Sequence, residues 1–166
     1  MDSELETLSR RVGEALLAAG DVLVTAESCT GGWIGEVVTM VSGSSRWYDR
    51  GYITYSNAAK QSVLGVSAET LAKHGAVSEP TVLAMVDGAL RASGATLAVA
   101  VSGVAGPTGG TPDKPVGMVC LAWGRADGAR QAVTVRLPGD REAVRRATVV
   151  RALEEVVALA GAPRSA

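Results

Sequence analysis

Apolar residues recur at helical spacing through Leu5, Leu8, Val12, Ala15, Leu16 and Ala19, and Gly20 ends the run. This predicts a first helix that buries one stripe. The pattern then changes. Val22, Leu23 and Val24 make Asp21–Ala26 read as a short buried strand. Ser28-Cys29-Thr30-Gly31-Gly32 leads into a second helix through Trp33, Ile34, Val37, Val38 and Val41, followed by a loop at Gly43-Ser44-Ser45. Gly51–Tyr55 is rich in strand formers and predicts a second strand. Three helical pieces follow: Asn57–Leu64, a piece capped by Ser67 that ends at His74-Gly75, and a longer one opened by Ser78-Glu79-Pro80 and running to Ala92. Thr96–Val101 is a continuous apolar run, the signature of a strand covered on both faces. A Gly/Pro/Thr loop spans Gly103–Pro115. Val116–Trp123 and Ala129–Arg136 read as a hairpin, and Gly139-Asp140 opens a last helix to about Ala160.

The order βα-βα-βββα predicts one domain over residues 1–166 with an α/β fold. The expected architecture is a three-layer α/β/α sandwich around a mixed, mostly parallel sheet of about five strands. The first three strands should be parallel, with the hairpin adding an antiparallel partner.

Charge and composition narrow the chemistry. Sixteen Lys+Arg against seventeen Asp+Glu leave a net charge of -1, so a phosphate-backbone binder is disfavoured and no nucleic-acid partner is expected. Thirteen of the sixteen cations are Arg, which favours bidentate grips on phosphate or carboxylate. Cys29 and Cys120 are far apart, and His74 is the only histidine, so a His/Cys metal site and a Ser-His-Asp triad are both disfavoured. The acidic start Met1-Asp2-Ser3-Glu4 lacks a signal-peptide pattern, and the longest uncharged run, Ala92–Pro112, is broken by Gly and Pro. A cytoplasmic protein with no membrane partner is the expectation.

Three unusual segments follow the three parallel strands: Ser28–Gly32, Tyr55–Lys60 and Ser102–Gly110. Carboxyl ends of parallel strands share one rim of the sheet, where ligands bind, so these distant segments should converge. A hydroxyl at a strand-to-helix junction can be an N-cap or a nucleophile, and both readings stay open for Ser28. Cys29 is a rival nucleophile or a small buried hydrophobe. Lys60 could serve as the base if burial favours its neutral amine; it could equally be a solvated helix residue. Tyr55 could relay a proton. Four glycines within Gly103–Gly110 could cradle an anion, although the segment matches neither a Walker loop nor GxGxxG. Arg141, in a first helical turn, implies a bound anion or an ion pair with Asp140 or Glu142.

Five segments occur in order: Ala26-Glu27-Ser28-Cys29-Thr30-Gly31-Gly32; Tyr55-Ser56-Asn57 with Lys60; Gly103-Val104-Ala105-Gly106-Pro107; Lys114-Pro115-Val116-Gly117; and Gly139-Asp140-Arg141 with Val144-Arg145. Over Leu5–Leu159 the chain resembles the CinA C-terminal domain family, whose characterised members are nicotinamide-nucleotide amidohydrolases. The resemblance implies deamidation of nicotinamide mononucleotide to nicotinate mononucleotide and ammonia, in pyridine-nucleotide recycling. It implies Ser28 as nucleophile, Lys60 as general base and Tyr55 as assisting hydroxyl, with no cofactor and no metal. Thr30, Gly31, Gly32, Asn57, Ser102, Gly103, Gly106, Gly109 and Arg141 are the implied substrate-binding positions. The helix amides after Ser28 are the expected oxyanion site, and the Gly103–Gly110 loop the expected phosphate site. The family also implies a homo-oligomer. Where the family often has Phe before its Gly-x-Arg segment, this chain has Leu137. Larger members carry a molybdopterin-binding-type N-terminal domain with a linked pyrophosphatase, for which 166 residues leave no room, so that activity is not expected. A second reading is a non-catalytic nucleotide-binding partner associated with competence or DNA damage, which would bind without turnover.

Overall fold

A computed structural model describes residues 2–164 of the chain. Five strands form one sheet: β1 (Leu23–Glu27), β2 (Tyr48–Ile53), β3 (Leu97–Gly103), β4 (Met118–Arg125) and β5 (Arg130–Arg136), in the spatial order β2-β1-β3-β4-β5. β1 pairs in parallel with β2 and β3, β4 runs antiparallel to β3, and β5 antiparallel to β4. Four strands therefore point the same way. Six helices complete the fold: α1 (Ser3–Ala19), α2 (Trp33–Val38), α3 (Asn57–Leu64), α4 (Ala68–His74), α5 (Glu79–Ser93) and α6 (Arg141–Ala160).

Alternation along the strands sorts the helices into layers. Leu23, Leu97, Val99, Val101, Leu121 and Trp123 face one way and pack with α1, α2 and α6. Val24, Ala26, Ala98, Ala100 and Ala122 face the other way and pack with α3, α4 and α5. The central strands β1 and β3 are buried almost throughout, which explains their unbroken apolar runs. The second face is lined mostly by alanine, so helix α5 lies close to the sheet and close to α3. At Gly88 of α5, an added Cβ would stand 2.0 Å from the Leu64 carbonyl oxygen of α3.

The predicted three-layer α/β sandwich with its mixed five-stranded sheet is the observed one. Boundaries shift by one or two residues in β1, β3, β4 and β5, and three further places differ. The strand expected over Gly51–Tyr55 runs over Tyr48–Ile53, because an edge strand carries polar, exposed residues at its start that no apolar pattern marks. Helix α2 stops at Val38, short of Val41, where the Thr39 hydroxyl donates to the Gly35 and Glu36 carbonyls and closes the last turn. Gly43-Ser44-Ser45 leads into a short 3-10 turn at Ser44–Arg46.

Topology decides where the ends fall. The register puts Glu27 beside both Ile53 and Val101, so β1, β2 and β3 end together at one rim. Met118 pairs with Arg136, which returns the chain to that rim and starts α6 there. The opposite rim is closed by a buried ion pair, Arg125 Nη1 to Asp21 Oδ2 at 2.9 Å. Thr96 Oγ1 also donates to Asp21, and Arg125 Nη2 donates to the Leu159 carbonyl, joining β1, β3, β4 and the end of α6. Among the described residues, no helix is long and apolar enough to cross a membrane.

Gly88→Ala should lower the unfolding free energy by about 2 kcal/mol or more, since the methyl meets backbone and not a flexible side chain. A urea melt measures it. A midpoint equal to wild type would mean that α3 and α5 separate freely.

Candidate active site

The carboxyl-terminal rim holds a cleft of about 270 Å³ lined by Ser28, Cys29, Tyr55, Lys60, Ala76, Val77, Ser102 to Gly106, Thr108, Gly109 and Arg141. Residues from five chain segments thus meet, among them the three that follow β1, β2 and β3, as the strand order requires. Ser28 directly follows β1, and its N–H donates to the Val101 carbonyl of β3 at 3.1 Å. Its side chain is not an N-cap. The N-cap position of α2 is Gly32, with φ of 101° and no side-chain cap.

Lys60 comes from α3. Ser56 caps that helix by accepting from the Ala59 N–H, and this turns Lys60 and Leu64, one turn apart, toward the interior. Lys60 is 1% exposed, a rare environment for a lysine. Its Nζ lies 2.9 Å from Ser28 Oγ, 2.8 Å from the Thr54 carbonyl and 3.4 Å from the Tyr55 carbonyl. Burial holds the Lys60 pKa below its ordinary value. The partners matter as much as the shift. Two are carbonyls, which can only accept, so they consume two N–H groups. The third is a hydroxyl, which accepts from an ammonium but donates to the lone pair of a neutral amine. The geometry therefore aims the one variable position of the amine at Ser28 Oγ.

Cys29 also lines the cleft, but burial pushes its thiol up to about 11, and a protonated thiol is a poor nucleophile. Tyr55 is exposed. It gives Lys60 its backbone carbonyl, while its hydroxyl accepts from Arg141 Nη2 at 3.1 Å. Arg141, the first residue of α6, also donates from Nη1 to the Gly106 carbonyl at 2.8 Å. Neither Asp140 nor Glu142 pairs with it among the described residues; Asp140 caps α6 by accepting from the Ala143 N–H. Arg141 thus bridges the second and third segments. Ser102, Gly103, Gly106 and Gly109 line the cleft.

Thr30, Gly31, Gly32 and Asn57 do not line the cleft. Thr30 is fully buried, and its hydroxyl donates to Glu27 Oε1 at 2.5 Å. Gly31 and Gly32 supply the positive φ values, 60° and 101°, that turn the chain into α2. Asn57 starts helix α3 on its exposed side. The expectation that the helix amides after Ser28 receive an oxyanion is corrected. The Ile34 and Gly35 N–H groups donate to Glu27 at 2.9 and 3.0 Å, and the Trp33 N–H donates to the Thr30 carbonyl.

Two residues at the site carried no role in the sequence. Glu27 is one; its signal was an acidic residue ending a buried strand just before a helix whose N-cap is glycine. The other is Arg145, one turn beyond Arg141. Its Nε and Nη2 donate to the Cys29 and Thr30 carbonyls at 3.1 and 3.2 Å, and its guanidinium lies 5.4 Å from the centre of the Trp33 ring. No three His, Cys, Asp or Glu side chains gather into a metal-binding group among the described residues.

Fold and site together define a class: a three-layer α/β protein whose sheet rim carries a serine hydroxyl against a desolvated lysine. The chain belongs to the CinA C-terminal domain family, whose sequence profile matches residues 5–160. It is 54% identical over 155 residues to the nicotinamide-nucleotide amidohydrolase PncC of Escherichia coli K12, covering 92% of this chain and 93% of that one. It is 55% identical over 156 residues to the protein of the same name from Pseudomonas putida, covering 93% and 96%. The crystal structure of the competence/damage inducible protein CihA from Agrobacterium tumefaciens superposes with a TM-score of 0.91 at 47% identity, covering 93% of this chain and 94% of that one.

A lysine whose folded pKa lies below its unfolded value binds fewer protons in the native state between those two values. Stability from this group should therefore rise with pH from the lowered pKa up to the ordinary 10.5. Cys29 acts in the opposite sense between 9.0 and about 11, so the comparison must be with Lys60→Met. The difference in urea stability between wild type and Lys60→Met should move in favour of wild type as pH rises from 7 toward 10.5. A pH-independent difference would show that the amine is not desolvated.

Proposed function

We propose that the chain is an amidohydrolase that converts nicotinamide mononucleotide to nicotinate mononucleotide and ammonia through a Ser28–Lys60 pair. The observation that carries this reading is the 2.9 Å contact between a buried lysine amine and a serine hydroxyl in the cleft. Support for the substrate comes from relatives named nicotinamide-nucleotide amidohydrolase, at 49% to 55% identity over 92% to 93% of the chain.

The neutral Lys60 amine takes the Ser28 proton as Oγ attacks the carboxamide carbon. Its other two hydrogens stay on the Thr54 and Tyr55 carbonyls, so the lone pair keeps its direction throughout. The resulting ammonium then returns the proton to the amide nitrogen, which leaves as ammonia. The nicotinoyl ester left on Ser28 is attacked by a water whose proton goes to the same amine; the ammonium passes that proton to Ser28 Oγ as the ester C–O bond breaks, and the acid released ionises to a carboxylate. The cleft lining is of two chemical kinds. Ala76, Val77, Val104 and Ala105 offer apolar surface for the pyridine ring, and Arg141 with the Gly106–Gly109 backbone offers the phosphate a cation and amides. Ser102 lies in β3 next to Val101, whose carbonyl accepts from the Ser28 N–H, and is assigned to hold the carboxamide. Tyr55 assists by orienting Arg141, the role its hydroxyl contact supports.

Incubation with nicotinamide mononucleotide should release ammonia. Ser28→Ala should cut the rate by about 10⁴-fold or more. Lys60→Arg should be as damaging despite keeping a cation, because a guanidinium offers no lone pair. In wild type, kcat/KM should rise with pH and level off below pH 10.5, the ordinary lysine value. Binding without ammonia release would favour a nucleotide sensor, and full turnover by Ser28→Ala would remove the nucleophile assignment.

A further inference from the structure

Glu27 is 1% exposed and ends a strand that is otherwise Leu, Val, Thr and Ala. Burying a carboxylate is costly unless its oxygens are satisfied. Here the side chain accepts three hydrogen bonds, from Thr30 Oγ1 and from the Ile34 and Gly35 amides, and every donor is neutral. Thr30 lies in the turn that leaves Ser28, and Ile34 and Gly35 lie in the first turn of α2. The backbone of Glu27 is fixed as well, since its carbonyl accepts from the Thr54 N–H at 2.9 Å. Thr54 in turn accepts from Lys60 Nζ, and Lys60 Nζ contacts Ser28 Oγ, the side chain covalently next to Glu27. Glu27, Ser28, Lys60 and Thr54 therefore form a closed ring of one chain link and three hydrogen bonds.

We propose that Glu27 is a positioning residue for the nucleophile: it holds the Ser28–Gly32 turn so that Oγ stays within reach of the Lys60 amine. The inference rests on the reading of Ser28 as nucleophile. A residue serving only to cap α2 would need the two helix amides. The additional grip on Thr30, two residues beyond Ser28, is what ties the carboxylate to the turn itself. Gln at this position keeps the length and one acceptor oxygen, but sets an NH₂ group against donors.

The test uses the full chain as wild type, Glu27→Gln, Thr30→Val and Thr30→Ser. A fluorophosphonate that labels nucleophilic serines reads Ser28 reactivity independently of the substrate, and thermal melts report folding. Glu27→Gln should melt cooperatively, with kcat and the Ser28 labelling rate both lowered by about 10- to 100-fold, the cost of misplacing a reacting atom. KM should change by less than about threefold, and the pH midpoint of labelling, set by Lys60, should not move. Thr30→Val, which removes one donor at constant shape, should slow labelling by about threefold to tenfold, and Thr30→Ser should recover it. A folded Glu27→Gln labelled at the wild-type rate overturns the proposal. If Glu27→Gln does not fold, Thr30→Val labelled at the wild-type rate overturns it. Wild type labelled at Ser28 but inactive on nicotinamide mononucleotide sinks the substrate assignment alone, and wild type not labelled at Ser28 sinks both.

Discussion

Everything at the rim depends on keeping a lysine amine out of water. In solvent, Lys60 would be a hydrated ammonium and could not take a proton from a hydroxyl. Burial alone would leave donors unsatisfied at a cost of about 1 to 3 kcal/mol each. The Thr54 and Tyr55 carbonyls meet that demand for two hydrogens and leave the last position to Ser28. These carbonyls belong to the segment between β2 and α3, so the strand end, the helix cap at Ser56 and the lysine four residues later form one local device. Its placement rests on tertiary packing. Leu64, one turn after Lys60, is buried where α3 meets α5, and the bare Gly88 permits that approach. A helix–helix contact on one face of the sheet thereby sets the position of an amine at its rim.

Helix α6 holds the other side. It begins at the rim because the β4–β5 hairpin brings the chain back there, and it spends its first two turns on arginine. Arg141 reaches across to Gly106 and Tyr55, while Arg145 reaches under to the carbonyls of Cys29 and Thr30. Cations at a helix N-terminus oppose its dipole. Both are tolerated because neutral oxygens take their N–H groups and Trp33 lies against the Arg145 guanidinium. The far end of α6 is bound to the buried Asp21–Arg125 pair, so the helix is fixed at both ends.

Much of this was legible in the chain. Period and punctuation located the elements, and the rule that parallel strands end together brought Ser28, Lys60, Ser102 and their loops to one place. The errors have physical causes. The start of β2 was hidden because an edge strand buries little. Thr30, Gly31 and Gly32 looked like ligand contacts because hydroxyls and glycines serve turns and anion sites alike; only tertiary contacts show that Thr30 is turned inward to Glu27. Tyr55 does line the cleft, and its hydroxyl contact to Arg141 is a detail that a motif does not report. Glu27 was given no role because two of its three partners are backbone amides, which sequence does not distinguish.

The Glu27 contacts bear on how a tetrahedral intermediate would be held. A free helix N-terminus after a nucleophile is a ready anion site. Here a carboxylate already occupies that position, and two of the helix amides point at it. An oxyanion at the same spot would meet negative charge. On the proposed mechanism the charge has to develop elsewhere in the cleft, where two other groups lie. The Lys60 ammonium is formed in the very step that creates the oxyanion, so it is present only when needed. Ser102, 2% exposed and lining the cleft, supplies a hydroxyl at the end of the neighbouring strand. The first amides of α2 are thus taken by Glu27 and Thr30, and on the proposed mechanism the Lys60 and Ser102 side chains are the groups at hand for the intermediate.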